Sequence, residues 1–92
     1  MSNQPTPPEK TLSIAIRLNG ELARTAGRAR LGIQLADPAT ITDLVEALKT
    51  QEPNLAEQLQ RAIPVVNGRH ATADQPISSG QEVALLMPVA GG

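Results

Sequence analysis

The chain has 92 residues, with eight basic and nine acidic side chains and no cysteine, phenylalanine, tyrosine or tryptophan. This length is enough for one domain, and so short a chain buries only about 60 to 65% of its unfolded surface, which argues against a deep internal active site. Without cysteine there is no disulfide, persulfide or thiolate metal site, and the one histidine, His70, cannot hold a metal alone. A net charge of -1 and the lack of aromatic rings argue against a nucleic-acid ligand.

The composition does not point to a membrane. No segment approaches the roughly 20 apolar residues that a membrane-spanning helix needs. Residues 1–10 contain three prolines among small polar residues and lack the charged-then-apolar order of a secretory signal. These residues predict a disordered N-terminal tail, and we expect a cytoplasmic protein with no membrane partner.

The first part of the folded domain has the periodicity of strands. Residues 11–18 alternate strictly between large apolar side chains and small or polar ones, which predicts a half-buried strand. After a predicted turn at Asn19-Gly20, residues 21–26 predict a helical turn or a wide loop. Alternation resumes over residues 31–35, and we expect this second strand to pair antiparallel with the first.

A helix is predicted in the middle of the chain. Thr40, with Asp43 three residues later, forms a capping-box pattern that marks a helix N-terminus. Pro53 ends this helix. Asn54 and Glu57 repeat the capping pattern and predict a second, short helix. The main helix carries one apolar stripe, suited to packing across a sheet, at Ile41, Leu44, Val45 and Leu48.

The last third of the chain predicts three more strands. Residues 63–66 form a mostly β-branched run that ends at Asn67-Gly68, a strong hairpin signal, with a short return strand over residues 69–71. Residues 82–87 are apolar after the first residue and do not alternate, which predicts a strand with neighbours on both sides. We therefore place this final strand in the centre of the sheet.

The order of these elements is typical of one architecture. Strand, strand, helix, strand, short strand and a central final strand describe an α+β domain of the β-grasp type, a mixed sheet of four to five strands clasping one main helix. We predict that this domain spans residues 11–88 and that residues 89–92 form a flexible C-terminal Gly-Gly tail.

Few residues within the domain carry candidate chemistry. No Ser, His and Asp set, glycine-rich phosphate loop or carboxylate pair near a histidine is present at a motif spacing, so we predict no catalytic residue. His70 is interpreted as an exposed loop histidine without a role. Arg24, Arg28 and Arg30 are candidate partner-docking residues, because guanidiniums bind carboxylates and phosphates bidentately. The alternative is a solvated loop.

The C-terminus carries the most specific signal. Residues 87–92, MPVAGG, directly follow the predicted central strand. Two terminal glycines have no side chains and can pass extended through a narrow channel, so this end can deliver its carboxylate into another protein's active site. A carboxylate resists nucleophiles, but its mixed anhydride with AMP has a good leaving group that sulfur can displace. The alternative interpretation is a frayed chain end.

Four stretches carry a resemblance to a known family: residues 21–23 (ELA), 39–44 (ATITDL), 66–68 (VNG) and 80–92 (GQEVALLMPVAGG). On these residues the chain, from about Thr11 to Gly92, resembles the MoaD/ThiS family of ubiquitin-like sulfur carriers. Within that family the resemblance is to small subunits of molybdopterin synthase. It implies a carrier protein that is not an enzyme and binds no cofactor or metal.

The resemblance also implies roles for the C-terminal residues. Gly92 would carry first the adenylate and then the thiocarboxylate, which would donate sulfur in a biosynthetic pathway, most commonly molybdopterin (molybdenum cofactor) synthesis. The tail inserted into partner enzymes would comprise Met87, Pro88, Val89, Ala90 and Gly91. ATP would be used by the activating enzyme.

Partners and alternatives follow from the same resemblance. The implied partners are a ubiquitin-activating-type adenylating enzyme, a sulfur donor or sulfurtransferase, and an acceptor enzyme such as the large subunit of molybdopterin synthase. The first strand is aliphatic where molybdopterin synthase small subunits often carry aromatic residues, so cysteine, thiamine-thiazole, thionucleotide and secondary-metabolite synthesis are alternative pathways. A ubiquitin-like modifier that forms isopeptide bonds and a plain interaction module are the remaining hypotheses.

Overall fold

The computed structural model describes residues 11–88. The predicted N-terminal tail, residues 1–10, and the predicted C-terminal tail, residues 89–92, lie outside the described residues. In chain order the elements are β1 (Thr11–Leu18), α1 (Glu21–Ala26), β2 (Arg30–Ala36), β3 (Ala39–Thr40), α2 (Ile41–Gln51), a 3-10 turn (Pro53–Leu55), α3 (Ala56–Leu59), β4 (Ile63–Val66), β5 (Arg69–His70), β6 (Pro76–Ile77) and β7 (Glu82–Leu86).

Five of these strands form one mixed sheet in the order β2-β1-β7-β4-β5. β7 runs parallel to β1, whereas the pairs β1 with β2, β4 with β5 and β4 with β7 are antiparallel. The last strand in the sequence is therefore the central strand of the sheet. The β-grasp prediction is confirmed, including the five strands, the central final strand and the antiparallel pairing of the first two strands.

The core lies between one face of the sheet and α2. Alternate residues of β1 are buried because successive side chains of a strand point to opposite faces. The apolar stripe of α2 covers this face, with Ile41, Leu44 and Leu48 buried. The buried apolar set comprises Leu12, Ile14, Ile16, Leu18, Leu22, Ile33, Ala39, Ile41, Leu44, Leu48, Leu55, Leu59, Val66, Ile77, Val83 and Leu85.

The N-terminus of α2 is closed by a capping box. The Asp43 backbone N–H donates to Thr40 Oγ1 at 3.3 Å, and the Thr40 backbone N–H donates to Asp43 Oδ2 at 2.9 Å. Each of these N–H groups lacks an intrahelical acceptor, so the two side chains satisfy donors that would otherwise depend on water. The predicted start of the main helix is confirmed.

The hairpin between β4 and β5 turns at Asn67 and Gly68. Their φ angles are 54° and 77°, so both lie in the left-handed region that a type I′ turn requires. Asn and Gly tolerate this region better than other residues, which is why this dipeptide predicts a hairpin. The return strand β5 ends at His70, one residue earlier than predicted.

Two features differ from the sequence predictions. A second, two-stranded sheet pairs Ala39 with Ile77, and its strands are too short to produce a periodic pattern. Asn54 was predicted to cap the short helix, and this is wrong. Pro53 already begins a 3-10 turn that contains Asn54, and α3 follows that turn with no side-chain cap.

The capping box provides a test of helix stability. We expect Thr40→Ala to lower the free energy of unfolding by about 1 kcal/mol, because the Asp43 N–H loses its acceptor. Thr50→Ala is the matched control within the same helix. Thr50 is exposed, its hydroxyl donates only to the Glu46 carbonyl, and alanine is the better helix former, so stability should stay equal or rise. Urea unfolding of both variants measures the difference, and equal losses would contradict the capping role.

The end of β7 provides a second test. Met87 is half-buried and packs against the core cluster, whereas Pro88 is exposed. We expect Met87→Ala to lower the free energy of unfolding by about 1–2 kcal/mol, since apolar contacts are lost. Pro88→Ala should leave stability within about 0.5 kcal/mol. Urea unfolding with unchanged stability in Met87→Ala would show that Met87 does not belong to the core.

Candidate docking face and carrier terminus

The C-terminal end of β7 is held on both sides. Leu85 pairs with Leu18 of β1 and with Pro64 of β4, and both Val83 and Leu85 are fully buried. Pro88, the last described residue, is two residues beyond this strand and is exposed. The described part of the chain therefore leaves the sheet from its central strand, whose position is set by packing.

The predicted carrier residue Gly92 and the predicted tail residues Val89, Ala90 and Gly91 lie outside the described residues. Their roles remain predictions. Within the described residues, only Met87 and Pro88 belong to the predicted tail. Met87 contacts the core cluster on the helix side of the sheet, so its insertion into a partner would first require it to leave these contacts.

The face of the sheet opposite α2 carries an apolar patch. The register places Ala84 opposite Val65, and Leu86 opposite Ile63. These four side chains, which we call the apolar patch, are half-buried and do not belong to the core cluster or to the residues packed against it. The patch lies directly beside the point where β7 ends. A protein bound at the end of β7 can therefore contact the patch without displacing core residues.

The predicted arginine cluster is divided by the structure. Arg28 forms an ion pair with Glu52, which follows α2, and Arg24 lies in the last turn of α1. Arg30 is exposed on β2, directly opposite Arg17 of β1. Arg17 was not predicted as a docking residue. Its 13-residue separation from Arg30 hid their contact, which only the β1–β2 register reveals.

Other candidate chemistry is sparse in the part of the chain that the structure describes. His70 is exposed on β5 opposite Val65, at the margin of the apolar patch. Between residues 11 and 88, no three His, Asp or Glu side chains are placed to hold a metal ion. No helix in this range is long and apolar enough to cross a membrane.

Comparisons with known proteins agree with this architecture. The model of the ThiS family matches residues 16–92. SAMP1 from Haloferax volcanii is 27% identical, with a TM-score of 0.79 over 87% of this chain and 99% of that one. A Pyrococcus furiosus protein proposed to be subunit 1 of a molybdopterin converting factor is 22% identical, with a TM-score of 0.77 over 85% of this chain and 99% of that one.

A third similar structure is a complex. In the complex of subunits 1 and 2 of the molybdopterin-converting factor from Helicobacter pylori, the matching chain is 21% identical, with a TM-score of 0.64 over 88% of this chain and 100% of that one. No curated protein sequence matches the chain. Because the family match extends over most of the sequence and includes its last residue, the chain belongs to the ThiS family and has the β-grasp fold of ubiquitin-like sulfur carriers and modifiers.

Proposed function

We propose that this protein is a sulfur carrier that is not itself an enzyme, and that its Gly92 carboxylate is adenylated and then converted to a thiocarboxylate. The observation that carries the proposal is the ThiS-family match, which runs through the terminal Gly91-Gly92 directly after the central strand. A glycine pair at this position lets the chain end pass through a narrow channel, because no side chain obstructs it.

The chemistry follows from the low reactivity of a carboxylate. In the proposed first step, a carboxylate oxygen of Gly92 attacks the α-phosphorus of ATP and pyrophosphate leaves, which gives an acyl adenylate. Sulfide then adds to the acyl carbon and AMP leaves, so that one oxygen of the original carboxylate is replaced by sulfur and a proton is released. The resulting thiocarboxylate is a better nucleophile and donates its sulfur to an activated substrate of the acceptor enzyme.

The proposed catalysis belongs to partner proteins. ATP binding falls to an adenylating enzyme of the ubiquitin-activating type, sulfur comes from a donor or sulfurtransferase, and an acceptor enzyme uses the thiocarboxylate. The apolar patch is the proposed contact surface for the enzyme that receives the tail, because it adjoins the end of β7 and is separate from the core. Met87, Pro88, Val89, Ala90 and Gly91 are the proposed inserted segment.

We propose molybdopterin synthesis as the pathway. The supporting observation is the fold likeness to subunit 1 of the molybdopterin-converting factor, which forms a complex with subunit 2 in Helicobacter pylori. The acceptor in this chain's case is then a molybdopterin synthase large subunit. An acceptor from cysteine, thiamine-thiazole, thionucleotide or secondary-metabolite synthesis would use the same carrier chemistry.

A protein modifier is the second candidate function, and the likeness to SAMP1, the small archaeal modifier protein 1 of Haloferax volcanii, favours it. The first step is the same acyl adenylate. A lysine amine of a target protein then displaces the activated carboxylate and forms an isopeptide bond. The two functions differ only in the nucleophile that captures Gly92, so their products distinguish them.

The role of Gly92 is tested by intact-mass measurement. We expect the wild-type chain, incubated with ATP, sulfide and the adenylating enzyme of its own organism, to gain the mass of one oxygen-to-sulfur exchange. Deletion of Gly92 should abolish this gain, since the extended backbone no longer reaches the active site. Deletion of Met1 is the matched control and should leave the gain intact. Thiocarboxylate formation without Gly92 would contradict the proposal, and covalent conjugates at higher mass would favour the modifier.

The contact role of the apolar patch has a separate test. Val65→Thr replaces an outward methyl group of the patch by a hydroxyl and keeps the β-branched shape. The assay is ATP–pyrophosphate exchange by the adenylating enzyme with this protein as its substrate. We expect the KM for the carrier to rise about three- to fivefold. Val45→Thr makes the same change on α2, on the opposite side of the sheet, and should leave KM unchanged. Equal KM values for the two variants would show that the patch does not belong to the interface.

A further inference from the structure

Arg17 and Arg30 form a like-charged pair at one end of the β1–β2 ladder, where β2 begins. The Leu18 N–H donates to the Ala29 carbonyl at 2.8 Å, so Leu18 and Ala29 form a hydrogen-bonded pair and the adjacent Arg17–Arg30 pair is of the non-hydrogen-bonded type. Side chains approach each other most closely in this type of pair. Two like charges directly opposite each other destabilise a sheet, so the fold itself does not account for this pair.

Neither guanidinium of this pair forms an ion pair with a carboxylate of residues 11–88, although Glu82 lines the same shallow depression as Arg17. The ion pairs among residues 11–88 are Arg28 with Glu52 and Lys49 with Glu46. Both Arg17 and Arg30 are exposed. Their donors are therefore available to an acceptor from outside, and two adjacent guanidiniums suit a group of carboxylates because each can bind bidentately.

A shallow recess lies over β1 and β2 beside the arginine pair. Its lining comprises Ser13, Ile14 and Ala15 of β1, Gly32, Ile33 and Gln34 of β2, and Gln51 at the end of α2. Gly32 is opposite Ala15 in the ladder. The backbone of Gly32 does not require glycine, since an added Cβ would lie 3.9 Å from the Ile14 carbonyl, an ordinary contact. Glycine within a strand often marks a place where another chain approaches closely. The recess thus permits a partner surface to reach the strands beside the arginines.

The arginine pair adjoins both the apolar patch and the end of β7. Arg17 is opposite Ala84 of the patch, and Leu86 is two residues further along β7. With strands about 4.8 Å apart and about 3.3 Å per residue, the backbone of Arg17 lies roughly 8 Å from that of Leu86. A protein that binds the patch and receives the C-terminus is therefore within reach of Arg17, and Arg30 lies one strand further on the same face.

We propose that Arg17 and Arg30 dock an acidic segment, rich in Asp and Glu, of the adenylating enzyme that receives the C-terminal tail. This inference rests on the proposed function and specifies the chemistry of its partner. A protein surface fits better than a nucleic acid, because the pair continues an apolar patch, the chain has no aromatic residue for base stacking, and its net charge is -1. Exposed charges at the rim of an interface mainly raise the association rate and make it dependent on salt.

Kinetics with the ubiquitin-activating-type adenylating enzyme of the same organism test this proposal. In ATP–pyrophosphate exchange at low salt, R17Q/R30Q should raise the KM for the carrier about three- to tenfold and leave kcat unchanged. The rise of KM with added salt should be weaker than in the wild type, because fewer charge contacts are screened. The thermal midpoint should stay equal or rise, since the like-charge repulsion is removed. If the two arginines were needed only for folding, the double substitution would lower the thermal midpoint.

Two further variants separate a local contact from a change of net charge. R69Q removes one exposed positive charge from β5. Arg69 is opposite Val66, whose side chain is on the buried face of the sheet, so R69Q should leave the KM for the carrier unchanged. Gly32→Tyr introduces a residue that is favoured in strands, so the domain should stay folded. The tyrosine side chain would fill the recess, and we therefore expect the KM for the carrier to rise. An unchanged KM in Gly32→Tyr would show that the recess does not belong to the docking surface.

The possible failures are distinguishable. If the wild-type chain supports exchange but R17Q/R30Q has the same KM and the same salt dependence, the docking role of the arginines is wrong and the carrier function stands. If R69Q raises KM as much as the double variant, only net charge matters and the local contact is wrong. If the wild-type chain supports no exchange although Gly92 is intact, the proposed function itself is wrong, and the inference fails with it.

Discussion

The structure depends on the position of β7 between β1 and β4. In the strand order β2-β1-β7-β4-β5, this strand alone joins the β1–β2 pair to the β4–β5 pair. Val83 and Leu85 are fully buried, and their backbone pairs with a parallel strand on one side and an antiparallel strand on the other. A strand near the end of the chain thus completes both the sheet and the core, at the cost of ordering the long intervening chain.

The central position of β7 also determines what surrounds the end of the chain. Because side chains alternate along the strand, Leu86 faces the open side of the sheet and Met87 faces the core. The helix side is filled by the stripe of α2, whereas the open side presents the apolar patch and, beyond Ala84, the arginine pair. The end of β7 therefore lies beside a surface that the core does not use.

Much of the fold was predictable because its signals are local. Strict alternation predicts β1, the Thr40 and Asp43 pattern predicts the start of α2, and the Asn67-Gly68 dipeptide predicts the β4–β5 hairpin, since each reflects contacts within a few residues. The pairing of Ala39 with Ile77 was missed because two-residue strands have no period. Asn54 was misread as a cap because the preceding proline starts a 3-10 turn one residue earlier.

For the candidate site, the sequence by itself determined the terminal Gly91-Gly92, the apolar strand before it and the family to which they point. These signals lie in contiguous residues, so they need no knowledge of the fold. The tertiary structure decided which surface accompanies the terminus. It brought Arg17 opposite Arg30, engaged Arg28 with Glu52, and assembled the apolar patch from β4 and β7. Such contacts join residues distant in the chain, and their pairing is set by strand register and packing.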